Sequence, residues 1–212
     1  MIKKISVIDY GAGNILSVSR AFKECNSSIE IISDSNKIKN SGFLVLPGDG
    51  SFSYASKQLK KKKIFQILKD HAKKGNPLMG ICLGMQMLLT ESEEFGKHDG
   101  LDIIKGKIKK IKIQNNKSFK IPVIGWHSLN NIQIDYSRNF KSFNKFLDKR
   151  FYFVHSFKAL PENKKEVLAS YKYGKEKITA IIGKDNVIGT QFHPEKSGVN
   201  GINLIKNLIK VI

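Results

Sequence analysis

Apolar positions along the first half of the chain fall into two kinds of run. Residues 5–9, 28–32, 42–46 and 78–81 are short, largely apolar runs that predict strands, the first of them buried. Between them the apolar spacing becomes helical. Ile15, Val18, Phe22 and Cys25 are separated by three, four and three residues. A lysine-rich helix is predicted over 54–74, closed by Gly75-Asn76-Pro77, and another over 82–90. The second half is richer in strands. Alternating Lys and Ile over 103–113 predict a half-exposed hairpin arm, and 122–129 reads as a loop or short strand. Further strands are expected over 151–154, 167–173, 178–182 and 187–192. A closing helix over 199–212 carries Ile202, Ile205, Leu208 and Ile209 on one face.

This order predicts one α/β domain over residues 1–212, built on an open, mostly parallel sheet flanked by helices with an antiparallel extension. In such sheets chemistry gathers beyond the carboxyl ends of the strands. The informative loops are therefore 11–14, 47–51, 80–84 and 193–197.

Composition narrows the function classes. No apolar run approaches the roughly 18 residues of a membrane span, and the start of the chain is charged too early for a secretory signal. Two cysteines, Cys25 and Cys82, make no disulfide framework, which suits a reducing, cytoplasmic setting. Cys25 fits the apolar face of the first helix. The net charge is +19, yet Arg20, Arg138 and Arg150 are the only arginines. Surfaces that read bases or clamp phosphates use more arginine, so an anionic substrate or acidic partner is favoured over nucleic acid.

The sharpest chemistry is Gly80-Ile81-Cys82-Leu83-Gly84, between an apolar strand and a helix. Gly-x-nucleophile-x-Gly is the form of a tight elbow that exposes a reactive side chain above a sheet. A helix start beside the sulfur favours thiolate, and the free Leu83 amide can donate to an oxyanion. The plain alternative is a buried cysteine in a glycine-rich turn. Gln191-Phe192-His193-Pro194-Glu195 lies at the end of a later strand. An imidazole there could move the thiol proton, and a carboxylate on its other nitrogen would fix its tautomer. Competing histidines are His71 and His98, both expected in solvent, and His127 and His155, in aromatic surroundings that could line a pocket. No histidine spacing suggests zinc with Cys82.

Together the two motifs resemble those of the class I (triad) glutamine amidotransferases, whose fold is flavodoxin-like. The resemblance spans nearly the whole chain, through Val7-Ile8-Asp9-Tyr10-Gly11-Ala12-Gly13-Asn14, Leu46-Pro47-Gly48-Asp49-Gly50, Gly125-Trp126 and Tyr152-Phe153-Val154-His155-Ser156. It implies a glutaminase without cofactor, with Cys82, His193 and Glu195 as its triad. It also implies a partner: within the family, the chain is similar to subunits that pass ammonia to a (β/α)8-barrel cyclase in histidine biosynthesis. Leu83, Gly48, Asp49 and Gly50 then match the oxyanion region. Gln86, His155 and Ser156 match the glutamine pocket. Asn14, Trp126 and Lys196 match the face toward the cyclase and the ammonia passage.

Three residues depart from the family pattern. Asp49 stands where an apolar residue is usual. Val123 follows Pro122 where a histidine is usual, and His127 replaces an asparagine. The last two are expected on the partner-facing side. Two alternatives remain open at this point. One is a paralogue supplying ammonia to a sugar of surface polysaccharides. The other is an inactive binding homologue, with a cysteine peptidase as a weaker option.

Overall fold

The computed structural model describes residues 3–113, 119–132 and 139–211. The chain runs β1 (Lys4–Ile8), α1 (Ile15–Lys23), β2 (Ser28–Ile32), α2 (Ser35–Lys39), β3 (Leu44–Leu46), α3 (Phe52–Lys61), α4 (Ile64–Lys73), β4 (Leu78–Ile81) and α5 (Leu83–Met87). It continues through β5 (Glu91–Ser92), β6 (His98–Asp99), β7 (Gly106–Lys110), β8 (Val123–Ser128), β9 (Asn131–Ile132) and a 3-10 segment, Asn139–Phe146. Then follow β10 (Arg150–His155), β11 (Phe157–Pro161), β12 (Val167–Tyr173), β13 (Glu176–Lys184), β14 (Val187–Thr190), a 3-10 turn at Pro194–Lys196, and α6 (Gly198–Val211).

The main sheet has the order β2-β1-β3-β4-β14-β13-β12-β9. From β2 to β14 the neighbours are parallel, and from β13 onward they are antiparallel. This is the expected parallel sheet with its antiparallel extension. Side-chain alternation explains the layers. Ile5 and Val7 of β1 join one core with Phe22 of α1 and Leu204 and Leu208 of α6. Ile8 of β1, with Leu44 and Leu46 of β3, joins a second core with Phe52 and Leu59 of α3 and Leu68 of α4. The inner parallel strands β1, β3 and β4 are therefore covered on both faces, as their apolar runs require, whereas β2, at the sheet edge, is largely exposed, with Ile31 at 46%. Polar caps start the helices: the Asn14, Asp34 and Ser51 side chains accept backbone N–H groups of the first turns of α1, α2 and α3.

Three local expectations are corrected. The predicted 54–74 helix is two helices, broken where Lys63 adopts φ +59°. Leu59 and Ile64 are five residues apart, which is out of helical phase, and four lysines fill the gap. The break lets both α3 and α4 turn an apolar face to the sheet. The 82–90 helix ends at Met87. The 103–113 stretch is not a hairpin of its own. Its alternation is real, with Ile108 buried and Lys107 and Lys109 outside, but β7 pairs with distant β11 and with β5. Gly106 permits this, since a Cβ there would come 2.4 Å from the Leu160 carbonyl oxygen.

Histidine placement also differs from expectation. His71 is 3% exposed, and its ring bonds the Pro77 carbonyl oxygen at 3.0 Å. His98 is half-buried in β6. Cys25 is half-buried just past α1, its thiol directed to the Ala21 carbonyl at 3.2 Å. Arg138 lies outside the described residues.

The tightest packing under the β4–α5 elbow is at Gly84. A Cβ there would fall 1.9 Å from the Leu46 carbonyl oxygen. Gly84→Ala should therefore lower folding stability by about 3 kcal/mol or more, because backbone of β3 would have to move. Urea unfolding of the two proteins measures this, and equal midpoints would show that the elbow has room the structure does not display.

Candidate active site

β4 and β14 are adjacent and parallel, in register at Gly80↔Gly189 and Ile81↔Thr190. The chain leaving β4 is the cysteine elbow, and the chain leaving β14 is the histidine–glutamate turn. The Cys82 N–H donates to the Thr190 carbonyl at 2.7 Å, so the two loops start from one shared hydrogen bond. Cys82 itself sits at φ +53°, ψ −107°, a conformation rare for a side chain larger than glycine. Such strain is stored where surrounding structure holds it, and it aims the sulfur out of the sheet.

The triad residues expected from sequence come together. His193 Nδ1 is 2.7 Å from Glu195 Oε1. The Glu195 side chain is 1% exposed and that of His193 is 2% exposed. The carboxylate can only accept, so Nδ1 carries the proton that joins them. That leaves His193 Nε2 without a hydrogen bond, on the side of the ring that interacts with Cys82. Burial by itself would lower the histidine's affinity for a proton. The Cys82 sulfur and the Glu195 carboxylate outweigh it and lift His193 to about 10. A 3-10 turn of Pro194–Lys196 places Glu195 back over the ring, and Ser197 Oγ fastens that turn by donating to the His193 carbonyl at 2.6 Å.

A cleft of about 360 Å³ opens above the sulfur, and its lining includes Asp49, Gly50, Leu83, Gln86, His155, Ser156 and Lys196. A larger hollow, about 580 Å³, lies between α1 and α6, and Cys82 is not among its walls. Several expected roles are refined. Gln86 lies in the wall, but its amide Nε2 donates to Gln191 Oε1 at 3.0 Å. Gln191 in turn directs its own Nε2 to the Cys82 sulfur at 3.7 Å. His155 is locked at both nitrogens, to the Phe157 carbonyl (2.7 Å) and the Tyr171 hydroxyl (2.8 Å). It shapes the wall and has no ring nitrogen left for a ligand.

Leu83, expected to donate to an oxyanion, gives its N–H to the Gly48 carbonyl at 3.3 Å. The expected donor is present but covered. Asp49 accepts the Asn14 N–H at 3.1 Å and stands 3.7 Å from His193 Nε2.

Asn14, Trp126 and Lys196 are all exposed, as a partner-facing role requires. Val123 and His127 are not on that surface. Val123 is fully buried, and the His127 ring stacks on Tyr171 at 5.1 Å. Their departures from the family pattern belong to core packing.

Two residues at the site escape sequence reasoning. Gln191 directs its amide to the Cys82 sulfur, and a polar amide directly after the 187–190 strand and two residues before His193 is the sequence signal that could have found it. Glu94 lines the cleft while accepting the Phe52 N–H at 2.6 Å, a contact that no local pattern announces.

His155 also sets an acid response. Burial lowers its pKa from 6.5 to about 4. Below the ordinary value the unfolded chain takes up a proton that the folded chain refuses. Stability is therefore full above about pH 6.5 and falls as the pH drops toward 4, by about 3 kcal/mol from this group. Burial lowers His71 and His127 as well, with the same sign. Urea midpoints at about pH 7.5 and about pH 4.5 should differ less in His155→Gln than in the wild type; equal differences would contradict this assignment.

A family model for class I glutamine amidotransferases matches residues 6–211. Imidazole glycerol phosphate synthase subunit HisH 1 of Legionella pneumophila (strain Paris) is 40% identical, covering 99% of this chain and 100% of its own. HisH subunits of Prochlorococcus marinus and Lactococcus lactis subsp. lactis are 42% and 40% identical, covering 98% and 100% of this chain and 94% and 100% of their own. Among solved structures, PurLQS from Thermotoga maritima superposes with a TM-score of 0.73 over 99% of both chains at 21% identity, a likeness of fold. The chain belongs to the class I glutamine amidotransferase family and, within it, to the HisH subunits of imidazole glycerol phosphate synthase.

Proposed function

We propose that Cys82, His193 and Glu195 hydrolyse glutamine, and that the ammonia passes to a (β/α)8-barrel cyclase bound on the face of Asn14, Trp126 and Lys196. The observation that carries this reading is the His193–Glu195 bond at 2.7 Å with Nε2 left open toward Cys82. The proton resides on His193, and the sulfur, with the Gln191 amide directed at it, reacts as thiolate. It attacks the carboxamide carbon of glutamine. The Leu83 N–H and the backbone of residues 48–51 stabilise the oxyanion once the Gly48 carbonyl has moved aside. His193 gives its proton to the departing ammonia, leaving a γ-glutamyl thioester. It then takes a proton from the attacking water, and the thioester breaks to glutamate and thiolate.

With the Leu83 N–H on the Gly48 carbonyl, the amide is free for an oxyanion only after loop 47–51 is reshaped, as a docking partner could do. The exposed apolar side chains Leu16, Ile124, Trp126 and Val199 supply surface for such docking. This reading places the chain in the cytoplasm, in histidine biosynthesis. No helix among the described residues is long and apolar enough to cross a membrane.

Cys82→Ala should reduce glutamine-dependent ammonia release by at least about a thousandfold while leaving the far-ultraviolet spectrum unchanged. Wild-type release should rise when the cyclase and its ribulose-phosphate intermediate are added. Persistence of turnover in folded Cys82→Ala would refute the triad. Stimulation only by a sugar-aminating partner would refute the cyclase and leave the triad standing.

A further inference from the structure

Gln191 is fully buried and stands outside the walls of the cleft, yet its amide reaches the nucleophile. Its Nε2 is 3.7 Å from the Cys82 sulfur. Its backbone is held as well: the N–H donates to the Ala180 carbonyl at 2.8 Å, continuing the pairing of β14 with β13. Which end of the amide faces the sulfur decides what it can do there, and the neighbours fix that end. The Phe157 carbonyl can only accept. It takes the His155 Nδ1 proton at 2.7 Å and lies 3.5 Å from Gln86 Nε2. Gln86 therefore keeps its nitrogen on that side, and the same nitrogen donates to Gln191 Oε1 at 3.0 Å. With its oxygen so engaged, Gln191 turns Nε2 to Cys82. The Tyr171 hydroxyl, 2.8 Å from His155 Nε2, holds the far end of the chain of bonds. Gln86 and His155 are 6% exposed and Tyr171 is 1% exposed, so these bonds form in a low-dielectric interior that strengthens each of them.

We propose that Gln191 is a catalytic residue: its amide, oriented through Gln86 by the Phe157 carbonyl, donates to the Cys82 sulfur and stabilises the thiolate. The proposal rests on the glutaminase reading and extends it to both halves of the reaction. A neutral thiol is a weak acceptor for the Gln191 N–H, and a thiolate is a strong one. The bond therefore strengthens as the proton leaves sulfur, and it offsets the Val154 carbonyl oxygen, an acceptor 3.9 Å from the same sulfur. In the first half it holds the thiolate that attacks glutamine. In the second, the water oxygen bonds to the acyl carbon and His193 takes the water proton. The carbon–sulfur bond then breaks with its electron pair on sulfur, and the Gln191 N–H receives the departing thiolate. Other groups act on this sulfur too. The His193 ring interacts with it directly, with Glu195 on its other nitrogen and Asp49 3.7 Å from its Nε2. Tyr10 interacts with it from the loop after β1, and Glu94, His155 and Lys196 line the cleft. Replacing Gln191 leaves all of these groups in the chain.

Gln191→Met keeps the length and bulk of the side chain and removes the donor. Alkylation of Cys82 by iodoacetamide is followed across pH in the full chain without glutamine, by mass spectrometry of the peptide that contains it. Glutamate release is measured across glutamine concentrations. The bond predicts alkylation slower by about tenfold or more at neutral pH, as loss of a hydrogen bond to a charged group entails. The two rates should converge at alkaline pH, with the midpoint of the alkylation profile moved up by about one pH unit. kcat should fall by a similar factor or more, and KM should stay within about threefold. Gln86→Met, which frees the Gln191 amide to turn, should also slow alkylation at neutral pH, by less than Gln191→Met.

Unchanged alkylation and kcat in folded Gln191→Met overturn the proposal and leave Gln191 a packing residue. So does alkylation slowed by one factor at every pH, which would place the effect on access to the sulfur. So does a fall in hydrolysis with the alkylation profile unmoved. Should Gln191→Met fail to fold, Gln86→Met decides: an unmoved alkylation profile there overturns the oriented bond. Absence of glutamine hydrolysis from wild type, with and without the cyclase, overturns the glutaminase reading itself, whereas the alkylation profile tests the bond with no substrate present. Hydrolysis that depends on Cys82 and is indifferent to Gln191 overturns only the role of Gln191.

Discussion

The parallel pairing of β4 with β14 is the constraint on which the site depends. These two four-residue strands are fully buried, and their register ends with Ile81 beside Thr190. The next residues on one side form the cysteine elbow and on the other the histidine–glutamate turn. Hydrogen bonding between strands sets their separation near ~4.8 Å, so groups emerging from adjacent ends meet without a long reach. The bond from Cys82 N–H to the Thr190 carbonyl continues that pairing into the site itself. Burial then does the remaining work. It excludes water from Glu195 and His193, so their attraction acts at low dielectric and one proton arrangement is preferred.

Much of this is legible in the sequence because it is local. The apolar runs of β1, β3 and β4 need no distant partner to be recognised, and neither do the glycine-flanked Cys82 or the His193-Pro194-Glu195 spacing. What is not legible depends on contacts remote along the chain. Ile108 alternates correctly with its lysines, yet nothing nearby says that β7 pairs with β11. The Leu59–Ile64 interval carries a phase break, but four solvent-compatible lysines hide it until the two helices must pack on one sheet. His71 reads as exposed because lysines surround it in sequence, whereas in the fold it turns inward to the Pro77 carbonyl.

The site shows the same division. Residue types and order announce the proposed triad, while the covering of the Leu83 amide rests on one peptide orientation that no side chain encodes. Gly48 presents its carbonyl, not an N–H, to the elbow. Asp49 reads in sequence as a charge misplaced beside a developing anion. In the structure it has partners on both sides, Asn14 and His193, in the resting arrangement. Val123 and His127 read as changes of a partner surface and are inward-facing, which removes the main reason to separate this chain from the relatives it resembles over its full length.

In the proposed reaction the Cys82 sulfur attacks glutamine. Protein mixed with glutamine and quenched in acid during turnover should carry a γ-glutamyl thioester on the peptide containing Cys82, detectable by mass spectrometry and absent when His193 and glutamine are present but Cys82 is replaced by Ala. Turnover with an acyl group on another residue, or with none trapped at Cys82 under conditions that preserve thioesters, would contradict the account.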